Sequence, residues 1–387
     1  MQTFKLFVFP LLTLFIFLFI SFDSQSKARF VLDTAPNFQQ LDQLDPQALC
    51  QVAGNTKAYM DKQPNDSFAV HSGNETLPVS ELERVKATLT FICQTYVQDK
   101  ALGQDSRLKS VEFLQQHFDF YRWYPDKNTA TAIARKSTNK RKSEMLDQIP
   151  SDKIFLTKYY TKLIEGSAVK TEIFNQALYA LPFDENGLSL EVAAKKAQSL
   201  TRFKFTRQQV MSGILTAKKL AKPLVWITEE ALHDVLLQGT GVLTVDGKTR
   251  YFNVHRNNGI AYDYAIGKRA QARYWYFAEV PSVMGYGTDL ASKIAIEPFV
   301  TFAGNVKQLG LGKLFLVASS NNTQGEKGKS TNGQKNFTRL GILADQGGAF
   351  DDNLFQLDLL VDSYQGWKDY HKANKHIPDY ANAWILL

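Results

Sequence analysis

Asp345-Gln346-Gly347-Gly348-Ala349-Phe350, followed closely by Phe355-Gln356-Leu357-Asp358, is the stretch on which the reading turns. Two carboxylates lie close in sequence, one just before a glycine pair. Glycine permits backbone conformations and close approaches that any Cβ would block. Read as a strand, Phe355, Leu357, Leu359 and Val361 share one face, and Gln356, Asp358, Leu360 and Asp362 share the other. Asp358 then points away from the apolar stripe, into a groove or solvent. Leu354, Leu357 and Val361 also fit a helical period. By residue type alone, an ordinary Gly-Gly turn before an amphipathic strand stays open.

Upstream, a period of two begins at Ile154. It predicts strands at Phe155–Ile164, Glu172–Leu181, Arg273–Glu279, Lys293–Ile296, Lys313–Ala318 and Arg339–Ala344. Val242–Val245 and Thr249–Phe252 flank Asp246-Gly247, a pair suited to a type I′ hairpin turn. Leu190–Lys222 reads as a helix, alternately basic and apolar, and Thr228 starts another with Glu229 and Glu230 in its first turn. Ser319–Asn336 is mostly Asn, Ser, Thr, Gly, Lys and Gln, the composition of a flexible surface loop.

Before Ile154 the chain reads as helical. Pro46–Lys62 and Ser80–Lys100 carry apolar residues at helical spacing, and Ser80 with Glu83 makes a capping-box pattern. Phe113–Tyr124 is rich in aromatics, and Arg135-Lys136 to Lys140-Arg141-Lys142 reads as a solvated basic face rather than a nucleic-acid site. Leu6–Phe22 is almost wholly apolar after Lys5, and Ser24-Gln25-Ser26 offers small residues for cleavage after Ser26. The segment predicts export, with an uncleaved membrane anchor as the alternative. No cysteine directly follows it, so a lipoprotein anchor has no attachment residue. Cys50 and Cys93 are the only cysteines, and in an oxidising compartment they are a candidate disulfide.

The 387 residues, 44% hydrophobic and 12% aromatic, exclude fibrous and disordered classes and allow two to three domains. The six histidines (His71, His117, His233, His255, His371, His376) are scattered, so no metal site is expected. Gly310-Leu311-Gly312-Lys313 falls short of a phosphate loop, because Leu314 stands where Ser or Thr is needed. A Gly-x-Ser-x-Gly nucleophile elbow is absent.

The Asp345–Ala349 and Leu357-Asp358 segments resemble the Asp-x-Gly-Gly-Ala…Phe-Asp segment of the membrane-bound lytic transglycosylase A (MltA) family, shared with the three-aspartate (3D) domain. Other blocks resemble that family in order: Phe155–Thr161, Ile173–Pro182, Leu237-Gln238-Gly239-Thr240-Gly241, Asp246-Gly247, Asn258-Gly259 to Gly267, Tyr274–Phe277 and Ala383–Leu387. The resemblance spans about residues 150–387. It implies a mostly β fold with a helical N-terminal region: a double-psi β-barrel with a second β-rich domain inserted into it. Residues 1–26 are the signal peptide or anchor and 27–150 the helical region read above. Carried over from the family, residues 151–170 and 268–387 are the barrel, and 171–267 the insert.

The resemblance further implies a murein lytic transglycosylase. It cleaves the β-1,4 bond between N-acetylmuramic acid and N-acetylglucosamine and leaves a 1,6-anhydro ring. One aspartate acts as acid and then base, without metal or cofactor. By the motif, Asp358 matches the catalytic acid and Asp345 the carboxylate that helps keep it protonated. Thr157, Tyr160, Gln238, Gly239 and Gly241 match substrate-side positions. Gly347, Gly348 and Glu297 match further motif positions. The implied partners are peptidoglycan glycan strands, with room for other cell-wall enzymes, in the periplasm. A catalytically degenerate peptidoglycan-binding protein of the same fold is the alternative. The +7 net charge suits carboxylate-bearing peptidoglycan, and Tyr159, Tyr160 and Trp275 are the aromatics to look for in a groove.

Overall fold

The computed structural model describes residues 27–73, 81–263, 265–319, 336–347, 350 and 353–387. The N-terminal targeting segment, Ser80 and all but the ends of the Ser319–Asn336 loop lie outside the described residues.

Thirteen strands are formed among the described residues: β1 Arg29–Leu32, β2 Phe120–Tyr124, β3 Ile154–Gly166, β4 Gln176–Pro182, β5 Ala221–Ile227, β6 Thr240–Val245, β7 Lys248–Asn257, β8 Trp275–Val280, β9 Thr301–Ala303, β10 Leu314–Ser319, β11 Phe337–Asp345, β12 Gln356–Tyr364 and β13 Tyr380–Leu386. Six of them close on themselves in the order β13, β10, β11, β9, β12, β3 and back to β13. The β11–β9 and β12–β3 pairs are parallel, and the others in the ring antiparallel. Closure leaves no open edge in the ring, while β2 and then β1 extend the sheet outward from β13.

Strand β3 is thirteen residues long and serves two sheets. Residues Phe155–Lys162 pair with β12, and Leu163–Gly166 pair in parallel with β6. Beyond β6 the sheet continues antiparallel through β7 to β8. β4 and β5 form a separate antiparallel pair.

Two large hydrophobic cores follow this division. One unites the ring with the N-terminal helices, through residues such as Leu49, Ile92, Phe302, Leu343, Leu357 and Trp384. The second draws on residues from Ile164 to Phe277, including Val225, Leu232, Phe252 and Tyr276. Inside that region Glu185, fully buried, meets Arg202 at 2.7 Å and Arg256 at 2.8 Å. A buried carboxylate between two guanidiniums is stable there only because both partners are present.

Local signals explain the elements. The helix Pro46–Lys62 has proline in its first turn, and its Asp45 cap accepts from the Gln47 and Ala48 amides. The second helix runs Leu82–Ala101; Glu81 stands at its cap position without a side-chain capping bond. A disulfide joins Cys50 to Cys93 across these helices, at a sequence separation of 43. Closing a loop of that length stabilises by roughly 4 kcal/mol. At the β6–β7 hairpin both Asp246 (φ 51°) and Gly247 (φ 73°) take positive φ, as a type I′ turn requires.

Three segments depart from the sequence reading. Leu190–Lys222 is not one helix but the short helices Leu190–Lys195, Arg207–Met211 and Ile214–Ala217, followed by β5. Thr206 caps the second of these, and Gly213, at φ 90°, turns the chain before the third. Lys293–Ile296 forms an irregular return rather than a strand: Ile294 and Ile296 donate to the carbonyls of Tyr286 and Val283. The aromatic stretch Phe113–Tyr124 splits into a helix ending at His117 and β2.

Candidate active site

The ring brings the two aspartates together through one small residue. Ala303 on β9 is opposite Asp345 on β11 and opposite Asp358 on β12. Neighbouring strands lie about 4.8 Å apart, so the two aspartate backbones are separated by roughly 10 Å with only a methyl group between them. Parallel pairing of β12 with β3 places Thr157 opposite Asp358. The register therefore fixes this centre before any side chain is considered.

The two carboxylates differ in their partners. Asp345 accepts hydrogen bonds from the Tyr159 hydroxyl and from the Gln346 amide, each at 2.8 Å. Burial pushes its pKa up to about 6, against those two bonds and the Lys293 ammonium, which favour the anion. Asp358 is pushed further, up to about 7, by burial first. The charge of Asp345 adds to that rise, and the Thr157 hydroxyl beside it and Lys158 oppose it. One oxygen of Asp358, Oδ1, is buried with no hydrogen-bond partner among the described residues. An unpaired buried acceptor favours the protonated acid. Asp345 is thus prepared to carry negative charge, and Asp358 to carry a proton.

Thr157 is itself held in place. Its hydroxyl accepts from Gln356 Nε2 at 2.7 Å and donates to the Leu357 carbonyl at 3.3 Å. The Asn353 side chain in turn donates to Gln356 Oε1 at 3.0 Å.

Both aspartates open into a groove of about 560 Å³. Of the residues singled out from sequence, Tyr159, Tyr160, Gln238, Gly239 and Gly347 line it with them. Thr157 lies beside Asp358 but faces two adjoining cavities. Gly239 ends the helix Glu229–Gln238 in a left-handed conformation, φ 79°, which suits glycine. Tyr160 stacks on Tyr370 with ring centres 4.5 Å apart.

Three expectations fall elsewhere. Gly241 is buried away from the groove, where a Cβ would come within 2.8 Å of Leu243 and 3.4 Å of Val235. Its role is packing of the helix before it. Glu297 faces Asp45 in the N-terminal region, where burial and that neighbour raise its pKa. Trp275 packs against the second core under the Arg273 guanidinium. Gly348 lies outside the described residues.

Sequence reasoning missed Lys293, Trp367 and Tyr370 in the groove lining, and gave no role to the Tyr159 hydroxyl. It also missed Gly285, where a Cβ would come within 2.6 Å of the Ala344 carbonyl. That glycine lets the returning loop lie directly on β11 beside Asp345. Only Tyr159 carried a signal, as an aromatic two residues from Thr157. No group of His, Cys, Asp or Glu among the described residues is arranged to hold a metal ion.

Comparison with known proteins places this geometry. Residues 155–274 match the family model described as the MltA specific insert domain. The fold is similar to that of a membrane-bound lytic murein transglycosylase from Agrobacterium tumefaciens, with TM-score 0.56 and 15% identity over 93% of this chain and 97% of that one. It is similar also to MltA from Neisseria gonorrhoeae, with TM-score 0.52 and 13% identity over 93% and 91% of the two chains. No curated protein sequence matches the chain. The chain therefore carries the MltA specific insert domain within the fold of MltA lytic transglycosylases, and the resemblance to that family read from its sequence blocks is borne out.

Proposed function

We propose that this protein is an exported peptidoglycan lytic transglycosylase that cleaves the β-1,4 bond between N-acetylmuramic acid and N-acetylglucosamine. The observation that carries the reading is the paired carboxylates at the floor of the groove, one hydrogen-bonded as an anion and the other left with a buried, unpartnered oxygen. The closed six-strand ring, with its two parallel pairs, is read as a double-psi barrel formed by residues 151–170 and 268–387. The insert is 171–267, and its strands β6 and β7 share their sheet with β8 from the segment that follows.

Asp358 donates its proton to the glycosidic oxygen as the bond to the muramic C1 breaks. The C6 hydroxyl of the same muramic residue attacks C1, and its proton passes to the Asp358 carboxylate. The acid is regenerated and no water is consumed. A glycosidase that adds water needs a second carboxylate to activate it or to form a covalent intermediate. Here the nucleophile is already tethered to the substrate, an advantage of proximity. Asp345 supplies no proton. Its negative charge keeps Asp358 protonated and lies beside the positive charge that develops at C1.

Incubation of the purified protein with sacculi is expected to release 1,6-anhydromuropeptides, and Asp358→Asn to release none. Equal release by the variant would remove Asp358 from the role. Retention on sacculi without release of soluble product by the unmodified protein would favour a non-catalytic peptidoglycan binder.

A further inference from the structure

A second cavity of about 580 Å³ adjoins the groove, and Trp367 and Tyr370 line both. The two rings sit on the helix Trp367–Asn374, tilted against one another with centres 5.2 Å apart. Tyr370 is fixed: its hydroxyl donates to the Lys158 carbonyl at 2.9 Å, and its ring stacks on Tyr160. Trp367 is 62% exposed, an unusual state for so large an apolar side chain.

The far wall of this cavity is basic. Lys158, Arg141 and Lys375 line it against one carboxylate, Asp379. Lys158 neutralises Asp379, with the ammonium 3.1 Å from its Oδ1. Arg141 and Lys375 are exposed and have no ion-pair partner among the described residues. Met145 and Phe155 supply apolar surface between them. The basic run Lys140-Arg141-Lys142 is therefore not only a solvated face. It begins the short helix Lys140–Asp147 and presents Arg141 to a cavity continuous with the groove.

We propose that this cavity receives the carboxylate-bearing peptide substituent of a sugar seated in the groove. Trp367 and Tyr370 then divide glycan from peptide, and Arg141 and Lys375 meet the peptide carboxylates. The inference rests on the proposed function, since it presumes a glycan in the groove. A strand without peptides keeps only the lactyl carboxylate on the sugar itself, whereas a peptide branching from that lactyl group carries further carboxylates into the cavity, where the two unpaired cations lie. The cations act as a specificity device, with attraction that weakens as salt rises.

The test compares cleavage of soluble peptide-bearing glycan strands with the same strands after enzymatic removal of the peptides. The reading is the ratio of kcat/KM on the two substrates. The unmodified protein is expected to favour the peptide-bearing strands at low salt. An exposed ion pair corresponds to roughly a two- to fivefold effect, so the Arg141→Ala/Lys375→Ala double variant should lower the ratio by about tenfold. Both side chains are exposed and unpaired, so their removal leaves the fold intact; unchanged thermal denaturation checks this. A ratio of one for the unmodified protein, or a ratio unmoved in the double variant, overturns the peptide pocket while leaving the transglycosylase reading standing. Release from neither substrate overturns both.

Discussion

Replacing Tyr159 with phenylalanine removes one hydroxyl and leaves the ring in place. That hydroxyl donates to Asp345 at 2.8 Å, one of two hydrogen bonds that favour the anion there. A hydrogen bond to a charged group contributes about 1.5–3 kcal/mol, and a pKa unit corresponds to 1.36 kcal/mol, so its loss should raise Asp345 by roughly 1–2 units. The starting values are about 6 for Asp345 and about 7 for Asp358. Part of the rise at Asp358 is owed to the charge of Asp345, so the two values belong to the pair, and its single negative charge resides mainly on Asp345. A rise of roughly 1–2 units at Asp345 weakens or reverses that preference. The fraction with the proton correctly placed on Asp358 then falls, at least about a twofold loss of rate near pH 6.5. The acid limb of the pH–rate profile should also move up by about one unit, because no site in the pair now ionises as readily. Initial rates of anhydro-product release from pH 5 to 8, with thermal denaturation as the control for folding, measure both effects. A Tyr159→Phe protein with the original rate and acid limb would refute the assignment of Asp345 as the resident charge. So would a rate loss matched by lower stability with the limb unmoved.

The fold holds Asp358 above the usual carboxylate range, so its ionisation destabilises the folded state. Asp358→Asn should therefore match the unmodified protein in stability near pH 4 and exceed it by an amount that grows up to about pH 7, by at most about 4 kcal/mol, as read by urea denaturation across that range. Glu185→Gln leaves the buried Arg202 and the partly buried Arg256 without their counter-charge. Its expected cost is about 3–5 kcal/mol in the same assay, and a loss under 1 kcal/mol would show the triad to be dispensable. Reduction of the Cys50–Cys93 disulfide, or Cys50→Ala/Cys93→Ala, should lower stability by about 2–4 kcal/mol. Because those helices share the core of the ring, the loss should appear in one cooperative transition with the rest of that core.

What the sequence disclosed was local or carried by motif. The Asp246-Gly247 turn, the proline-led helix from Pro46 and the alternating face of Gln356, Asp358 and Leu360 each rest on a few adjacent residues. The aspartates were legible because a glycine pair and two carboxylates at close spacing stand out. The site's supporting groups were not, because each arrives over a long separation. Tyr159 reaches Asp345 across 186 positions, and Gln356 reaches Thr157 across 199. Lys293 enters the groove on a return whose backbone bonds go to Val283 and Tyr286, a placement that no periodicity within 293–296 encodes. The misread helix at 190–222 fails for the opposite reason. Its lysines and alanines are good helix formers, but Gly213 at positive φ interrupts it, and its last residues already open β5. Gly241, matched by motif to a substrate-side position, is held to glycine by packing. The space it protects belongs to Val235 and Leu243.

The continuous course of β3 bears on how the groove can work. Thr157, opposite Asp358, and Leu163–Gly166, paired with β6, belong to one uninterrupted strand. Between them, the Lys162 amide donates to Gln238 Oε1 at 3.3 Å, and the Lys162 ammonium pairs with Asp234 on the helix Glu229–Gln238. The floor that carries the aspartates and the wall that carries Gln238 and Gly239 are thus linked by strand ladders rather than by a flexible connection. Moving one against the other would break ladder hydrogen bonds along β3 with nothing to replace them. The proposed glycan strand would therefore meet a groove of fixed width, and adaptation is left to side chains at its margin, among which Trp367 is an exposed large apolar one. For a reaction whose nucleophile belongs to the substrate, that rigidity is an advantage. On the proposed mechanism the site need only hold one sugar with its C6 hydroxyl behind C1, and any slack in the walls would dissipate the proximity on which the proposed acid depends.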